Sequence, residues 1–448
     1  MRIIAIVAAT WLLLYGTAHA AVLEVGPGKT YAAPCAAIAA AQANDTIEIT
    51  AGTYSGDVCG WTTNGLTLRG VGGRAKLDAA GQNSQGKGTW VIGGDDTTVE
   101  NIEFTGATVP DLNGAGIRAD GTNLTVRRCY FHHNQNGILG GAGEVLIEYS
   151  EFAHNGNCTN PSGCAHNMYI GHADKFTLRG SYSHSATDGH LVKSRAAVNY
   201  ILYNRLTGEA DGTESYEIDL PNGGTSYVIG NLIEQGPNTG NPTMIAYLEE
   251  GASAQNPGTD LYVVNNTFVN DLGSGTLIAA STTTPVVIIN NAFVGGGTII
   301  GQANAVKTTN YSGNAPVFVD AASYDYRLLS SSPLIDAGSA PGLGAGFDLT
   351  PVFAYVQPVT TAARMSVGTI DIGAYEFGGE INAPDGGTSA LGDGGGAADG
   401  GTAMAPSSSG GCELGGGVSR RSGTAALLLL LIMFALRSKR ARFDTPLR

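Results

Sequence analysis

The sequence predicts an all-β solenoid, a coil of short parallel strands in which one chain supplies every rung. Two stretches nearly repeat each other, Val263-Val264-Asn265-Asn266-Thr267-Phe268-Val269 and Val287-Ile288-Ile289-Asn290-Asn291-Ala292-Phe293-Val294. Weaker copies run upstream at 228–233, 201–206, 146–152 and 124–131. A unit this short holds only strands and turns, and one copy cannot bury its apolar residues alone, so copies must stack. Composition agrees. The 66 glycines and 7% aromatics, with Asn, Thr and Ser crowding the turns, suit many short strands better than a helical bundle. An antiparallel sandwich is disfavoured because two-residue hairpin turns do not separate the runs.

At the N-terminus Arg2 precedes an apolar run over 3–15, and Ala18-His19-Ala20 stands just before Ala21. This is the layout of a secretory signal peptide over residues 1–20, and the run is too short for a membrane span. The solenoid is expected over 21–378; a chain of 448 residues needs no second core when turns are simply added. From 379 to 411 the chain is Gly, Ala, Asp and Ser with almost no large apolar residue, a flexible tether. The last segment, 412–448, holds an apolar stretch at 424–436 followed by Arg437, Lys439, Arg440 and Arg442. The basic cluster would stay cytoplasmic. As a helix the apolar stretch spans only about 20 Å, against a hydrocarbon core of about 30 Å. The order Gly410-Gly411-Cys412, apolar segment, basic tail resembles C-terminal sorting signals of the myxobacterial type. That resemblance implies an exported protein kept at the cell surface or outer envelope, membrane-associated through this segment unless processed.

Export permits disulfides. Of six cysteines, Cys158 and Cys164 flank a short Thr-Asn-Pro-Ser-Gly loop, and Cys35 and Cys59 bracket the first strand-like region; these four are expected to pair as Cys35–Cys59 and Cys158–Cys164. Cys129 occupies a repeat position and reads as a small buried residue, while Cys412 lies outside the fold. No Cys or His spacing suggests zinc.

A phenylalanine-like marker falls at Phe104, Phe131, Phe152, Leu206, Ile233, Phe268 and Phe293. Most intervals suit three short strands plus three turns; the interval before Phe268 is longer and one across Ser183 is double. The recurrent Asn near the marker fits an inward ladder at a corner, where stacked amides bond along the axis. Three segments then resemble right-handed parallel β-helix proteins of the pectin-lyase-like superfamily. They are Gly26-Pro27-Gly28-Lys29-Thr30-Tyr31 with Asp45-Thr46-Ile47-Glu48-Ile49 and Gly52-Thr53-Tyr54, the Asn-x-Phe turns, and Asp371-Ile372-Gly373-Ala374-Tyr375-Glu376-Phe377. The resemblance covers roughly 22–378 and implies a single-stranded right-handed β-helix with 36–43 as a short N-terminal capping helix. The superfamily includes lyases, hydrolases, epimerases and non-catalytic adhesins, so fold does not settle activity.

Residues 164–251 depart from the plain repeat. Four segments spaced about one turn apart, at 166–170, 188–195, 215–224 and 244–251, are expected to stack as neighbouring rungs. Strand alternation with Met168, Ile170, Val192, Tyr216, Ile218 and Leu220 inward exposes Asn167, Tyr169, Lys193, Arg195, Glu217 and Asp219. In the fourth segment Met244, Ala246 and Leu248 inward would expose Tyr247 and Glu249. Such a patch has the parts for β-elimination of a uronate polysaccharide: neutralisation of the carboxylate, a base for the adjacent proton and an acid for the leaving oxygen. The resemblance implies Lys or Arg as base, often with Ca²⁺. The expected roles are Lys193 as base and Arg195 as carboxylate clamp or acid. Tyr169, His166 and His190 are the expected proton donors, Asn167 and Tyr247 the substrate contacts, and Glu217, Asp219 and Glu249 the Ca²⁺ ligands.

The rival account is that Lys193–Glu217 and Arg195–Asp219 are cross-rung ion pairs on a solvated face, contributing about 0–1 kcal/mol each. His132, His133, His154 and His184 recur at turns and read as hydrogen-bonded corner residues. Asp95 and Asp96 lie far upstream of Asp188-Gly189-His190, which disfavours a polygalacturonase-like hydrolase, and the pair reads as a solvated loop. A formal charge of −14 argues against a nucleic-acid partner, and a monomer is expected. The sequence thus points to a surface-tethered β-helix protein that binds and cleaves an acidic polysaccharide. The alternative is a non-catalytic surface or matrix protein serving as a carbohydrate- or protein-binding platform.

Overall fold

Alternation of apolar and polar residues decides which side of every rung faces inward. In a computed structural model, residues 20–159, 163–314 and 317–379 are described. All fall within one unit ending at residue 387; the second unit, 388–448, lies outside them. The expected leader up to residue 19, the tether beyond 379 and the segment 412–448 therefore lie outside the described residues. Among those described, no helix is long and apolar enough to cross a membrane.

The chain winds through three ladders of parallel strands per turn. On the first ladder Ile47, Leu68, Val99, Val126, Ile147 and Leu178 stand directly above one another and are buried. On the second, the marker is in register as expected. Phe104, Phe131 and Phe152 align, Ser183 fills the skipped position, and Leu206, Ile233, Phe268 and Phe293 follow. Stacked rings lie 4.9 Å apart for Phe104–Phe131 and 4.8 Å for both Phe131–Phe152 and Phe268–Phe293. This repeat equals the strand spacing, so each ring buries its face against the next. On the third ladder Trp90, Ile117, Ile138 and Met168 align inward, as do Val192, Ile218, Ile245 and Ile278.

The corner between the first two ladders is made by residues forced into the left-handed region, among them Arg128, Tyr149, Tyr203, Asn265 and Asn290, with φ between 49° and 57°. A bend that sharp strips backbone groups of strand partners, and the following residue restores them. Asn204, Asn231, Asn266, Asn291 and Asn310 form a ladder in which each Nδ2 donates to the next Oδ1 at 2.9–3.0 Å. The buried thiol of Cys129 takes the equivalent place further up, and burial raises its pKa to about 12. Both expected disulfides form, Cys35–Cys59 and Cys158–Cys164. The capping helix runs Pro34–Ala40, two residues earlier than expected, because proline's fixed φ suits the first helical position.

Outside the first ladder runs a feature not anticipated from the sequence. Glu48, Arg69, Glu100, Arg127, Glu148 and Arg179 occupy one outward column over successive rungs. Arg69 bonds Glu48 at 2.8 Å, Arg127 lies 3.6 Å from Glu100 and 3.0 Å from Glu148, and Arg179 also reaches Glu148. The Glu148 carboxylate is almost fully covered while its two arginines are about a third exposed. Glu148→Gln is therefore expected to cost about 1–2 kcal/mol in a urea melt, a difference that salt narrows; identical melts would show that the ladder contributes nothing.

After the coil, residues 317–379 fold back along its side. Phe347 packs on Tyr200 and Tyr227, Tyr203 Oη accepts from the Val352 amide, and Asn265 Nδ2 donates to the carbonyls of Asp371 and Gly373. The Asp371-Ile372-Gly373 motif is thus a clasp: Gly373 has φ 99°, and a Cβ there would lie 2.8 Å from Thr267 Oγ1.

Candidate functional site

The third ladder carries the candidate site, with residues 185–191 and 208–217 leading into its strands Val192–Ser194 and Ile218–Leu220. Tyr169, Lys193, Asp219 and Ala246 occupy one outward column on consecutive rungs. Strands Met168–Ile170, Val192–Ser194 and Ile218–Leu220 each bury their first and third residues and turn the middle one outward. The four-rung stack expected from the sequence is present.

Lys193 and Asp219 form the centre. Lys193 Nζ lies 2.9 Å from Asp219 Oδ2, with side chains only 13% and 6% exposed, and it sits 5.3 Å from the centre of the Tyr169 ring. Beside them His166 and His190 stack with centroids 4.3 Å apart, and Tyr216 follows His190 at 4.9 Å. The His190 amide donates to His166 Nδ1 at 2.9 Å, which leaves the His166 proton on Nε2. His190 Nε2 lies 3.3 Å from the same Asp219 oxygen that holds Lys193. Burial lowers the His190 pKa to about 4 against the opposing pull of Asp219, with Lys193 adding to the fall. Burial, then His190, lowers His166 well below its ordinary value. Both imidazoles are neutral near pH 7.

Arg195, two residues beyond Lys193, closes the far side. Its Nε donates to Tyr169 Oη at 2.7 Å and Nη1 donates to Asn222 Oδ1 at 2.5 Å. Glu250 accepts from both Nη atoms, at 2.6 and 3.0 Å. Burial works against the guanidinium charge, but its hydrogen bonds to Glu250 and the nearby Tyr169 hold its pKa above the ordinary value.

Several expected positions are corrected. Glu217 does not join the outward patch: it is fully buried with both carboxylate oxygens unpartnered. Alternation begins only at Ile218, so the two preceding turn residues take the opposite sense, and Tyr216 stands half-buried against His190. Burial, then Glu214, raises the Glu217 pKa well above the usual carboxylate range. Asn167 is likewise buried. It accepts from Asn155 Nδ2 at 3.0 Å and donates to Ser183 Oγ at 3.1 Å, a second corner ladder. In the fourth rung Ile245 aligns with Ile218, so Ala246 faces outward and Tyr247 inward, its Oη donating to the Gly224 carbonyl at 2.7 Å. The ion pairs are Lys193–Asp219 and Arg195–Glu250, not Lys193–Glu217 and Arg195–Asp219.

The proposed calcium ligands do not fit a cation. Glu217 is inside, Asp219 is engaged by Lys193, and Glu249 is exposed on the turn beyond Tyr247. Among the described residues no three His, Cys, Asp or Glu side chains are grouped to hold a metal ion. Asn222 and Glu250 were missed, although adding one rung length to Arg195 reaches Asn222 and a second reaches the Glu249-Glu250 pair. His172 was also missed; it is exposed within the electrostatic reach of Arg195 and Glu250. The histidines read as corner residues do bond locally: His132 Nε2 lies 3.0 Å from Glu103 and His184 Nε2 lies 3.4 Å from Glu151. Asp95 and Asp96 are loop residues bonded to Thr122 and Asn123.

A family model described as "Right handed beta helix region" matches residues 64–160. Among solved structures, pectate lyase Pel9A superposes with TM-score 0.56 at 16% identity, covering 80% of this chain and 96% of that one. The fold is a right-handed parallel β-helix. A pectin methylesterase from Aspergillus niger gives TM-score 0.31 at 14% identity over 73% of this chain and 97% of its own. ORF18 of Geobacillus virus E2 gives 0.35 at 14% over 62% and 56%. No curated protein sequence matches. At these identities the β-helix is what is shared.

Proposed function

We propose that this protein binds an acidic, uronate-containing polysaccharide on the third ladder and cleaves it by β-elimination. The observation that carries the reading is a nearly covered Lys193 on an outward column, held between Asp219 and the Tyr169 ring. The likeness to a pectate lyase makes pectate the first polymer to assay.

A substrate covering the column excludes water, and a neutral pair then costs less than an ion pair. Lys193 passes a proton to Asp219, and its free amine removes the proton beside the uronate carboxylate. The electron pair left behind forms the carbon–carbon double bond, and the bond to the leaving sugar oxygen breaks. Tyr169 Oη protonates that oxygen while Arg195 Nε, at 2.7 Å, stabilises the phenolate. His166 and His190, buried and neutral, are poor acids; His190 instead orients Asp219. The Nη edge of Arg195 suits two-point recognition of a carboxylate, and Glu250 occupies that edge. Glu250→Ala is expected to lower KM by up to about fivefold with kcat little changed; an unchanged or higher KM would remove Arg195 as the clamp.

The test is absorbance of the unsaturated product when the purified protein meets a panel of uronate polymers, with and without added calcium. No absorbance on any of them overturns the lyase reading. One observation favours a second reading, a non-catalytic binding platform: Lys193 and Arg195 are each already paired with a carboxylate. Binding without product would support it. The proposal includes export and retention at the cell surface through 412–448, and antibody labelling of intact cells tests this, since absence of surface label overturns it.

A further inference from the structure

We infer that the binding face continues three rungs along the third ladder toward the N-terminal end of the coil and holds a second sugar carboxylate at Arg118 and Lys87. The inference rests on the polysaccharide reading above but not on its elimination step. Arg118 aligns with Leu139, Leu139 with Tyr169, and Tyr169 with Lys193, so Arg118 and Lys193 share one outward column. At about 4.8 Å per rung they stand about 14 Å apart along the axis. A polyuronate presents carboxylates at regular intervals along its length, and cations recurring on one straight column are the complementary array.

The charge balance separates this cluster from the structural ladder on the first face. Asp120 accepts from Arg118 Nε at 2.8 Å and from Lys87 Nζ at 2.7 Å, so one carboxylate faces two cations and one positive charge is left over. All three side chains are between 30% and 40% exposed. Around Lys193 and Arg195, by contrast, Asp219 and Glu250 balance the two cations. A surplus cation on the site's own column is conspicuous in a chain of net charge −14. The column also has a direction. Beyond Asp219 it continues through Ala246 and Ala279, which carry no charge, so a bound polymer extends from Lys193 toward Arg118 and not the other way.

The experiment is calorimetric titration of the full chain carrying Lys193→Met, which blocks turnover, with a trimer and an octamer of galacturonate and, in parallel, of mannuronate. The octamer is expected to bind about fivefold to tenfold tighter than the trimer. Adding Arg118→Gln should erase that gain and leave the trimer affinity unchanged, and Lys87→Ala should reduce it. A gain that survives Arg118→Gln, or an equal loss for both lengths, overturns the inference while leaving the polysaccharide reading intact. Absence of binding by either oligomer overturns both.

Discussion

Lys193→Met is expected to reduce the rate of unsaturated-product formation by about 10²–10⁴-fold, the range for loss of a positioned acid–base group, while the melting temperature changes little. Methionine keeps the stem against the Tyr169 ring and removes the amine. The loss should appear in kcat more than in KM, because the amine acts on the reacting proton and the carboxylate is gripped at Arg195. Asp219→Asn should fall in the same direction, since an amide cannot take the proton from Nζ. Activity within tenfold of wild type in Lys193→Met would sink the base assignment.

Glu217→Leu is expected to stabilise the protein. Glu217 sits between Leu191 and Met244 on adjoining rungs: its amide donates to the Met244 carbonyl and its own carbonyl accepts from Val192. A buried polar group without partners costs about 1–3 kcal/mol, and a charged one more, so an apolar side chain of similar length should recover at least that much. The pH dependence follows from the raised pKa of Glu217. A carboxyl whose folded pKa lies above its unfolded value contributes fully below the unfolded value, and the contribution is lost as pH rises toward the folded value. The advantage of Glu217→Leu should therefore grow from pH 5 to pH 8 in thermal melts. His190, lowered to about 4, and His166, lowered well below its ordinary value, act oppositely: both proteins lose stability as pH falls below the ordinary histidine value of about 6.5. A variant less stable than wild type at pH 8 would show that Glu217 has a partner the structure lacks.

Most of the fold was legible because the repeat is its own ruler. Phe131, Phe152, Phe268 and Phe293 mark consecutive or nearby rungs, and even the gap at Ser183 fell where a rung was due. The site was legible only in part, since alternation holds within a strand and fails in the turn before it. Lys193, Arg195, Tyr169 and Asp219 lie inside or just after three-residue strands and came out on the expected face. Asn167 and Glu217 lie one residue before such strands and came out inside. Glu217 looked like a surface carboxylate because nothing in a single sequence distinguishes a charged residue on the surface from one buried at a corner. The Glu–Arg column on the first face went unseen for the opposite reason: its members are too far apart in sequence to pattern until the rungs are aligned.

That column constrains how the chain can change length. Its six members alternate in sign from Glu48 to Arg179, so deletion or duplication of a single internal rung sets two like charges side by side, which is unfavourable on a ladder. Removal or insertion of two adjacent rungs restores the alternation. Over this stretch the coil counts in even numbers, a parity rule written on its outer surface and absent from its apolar interior.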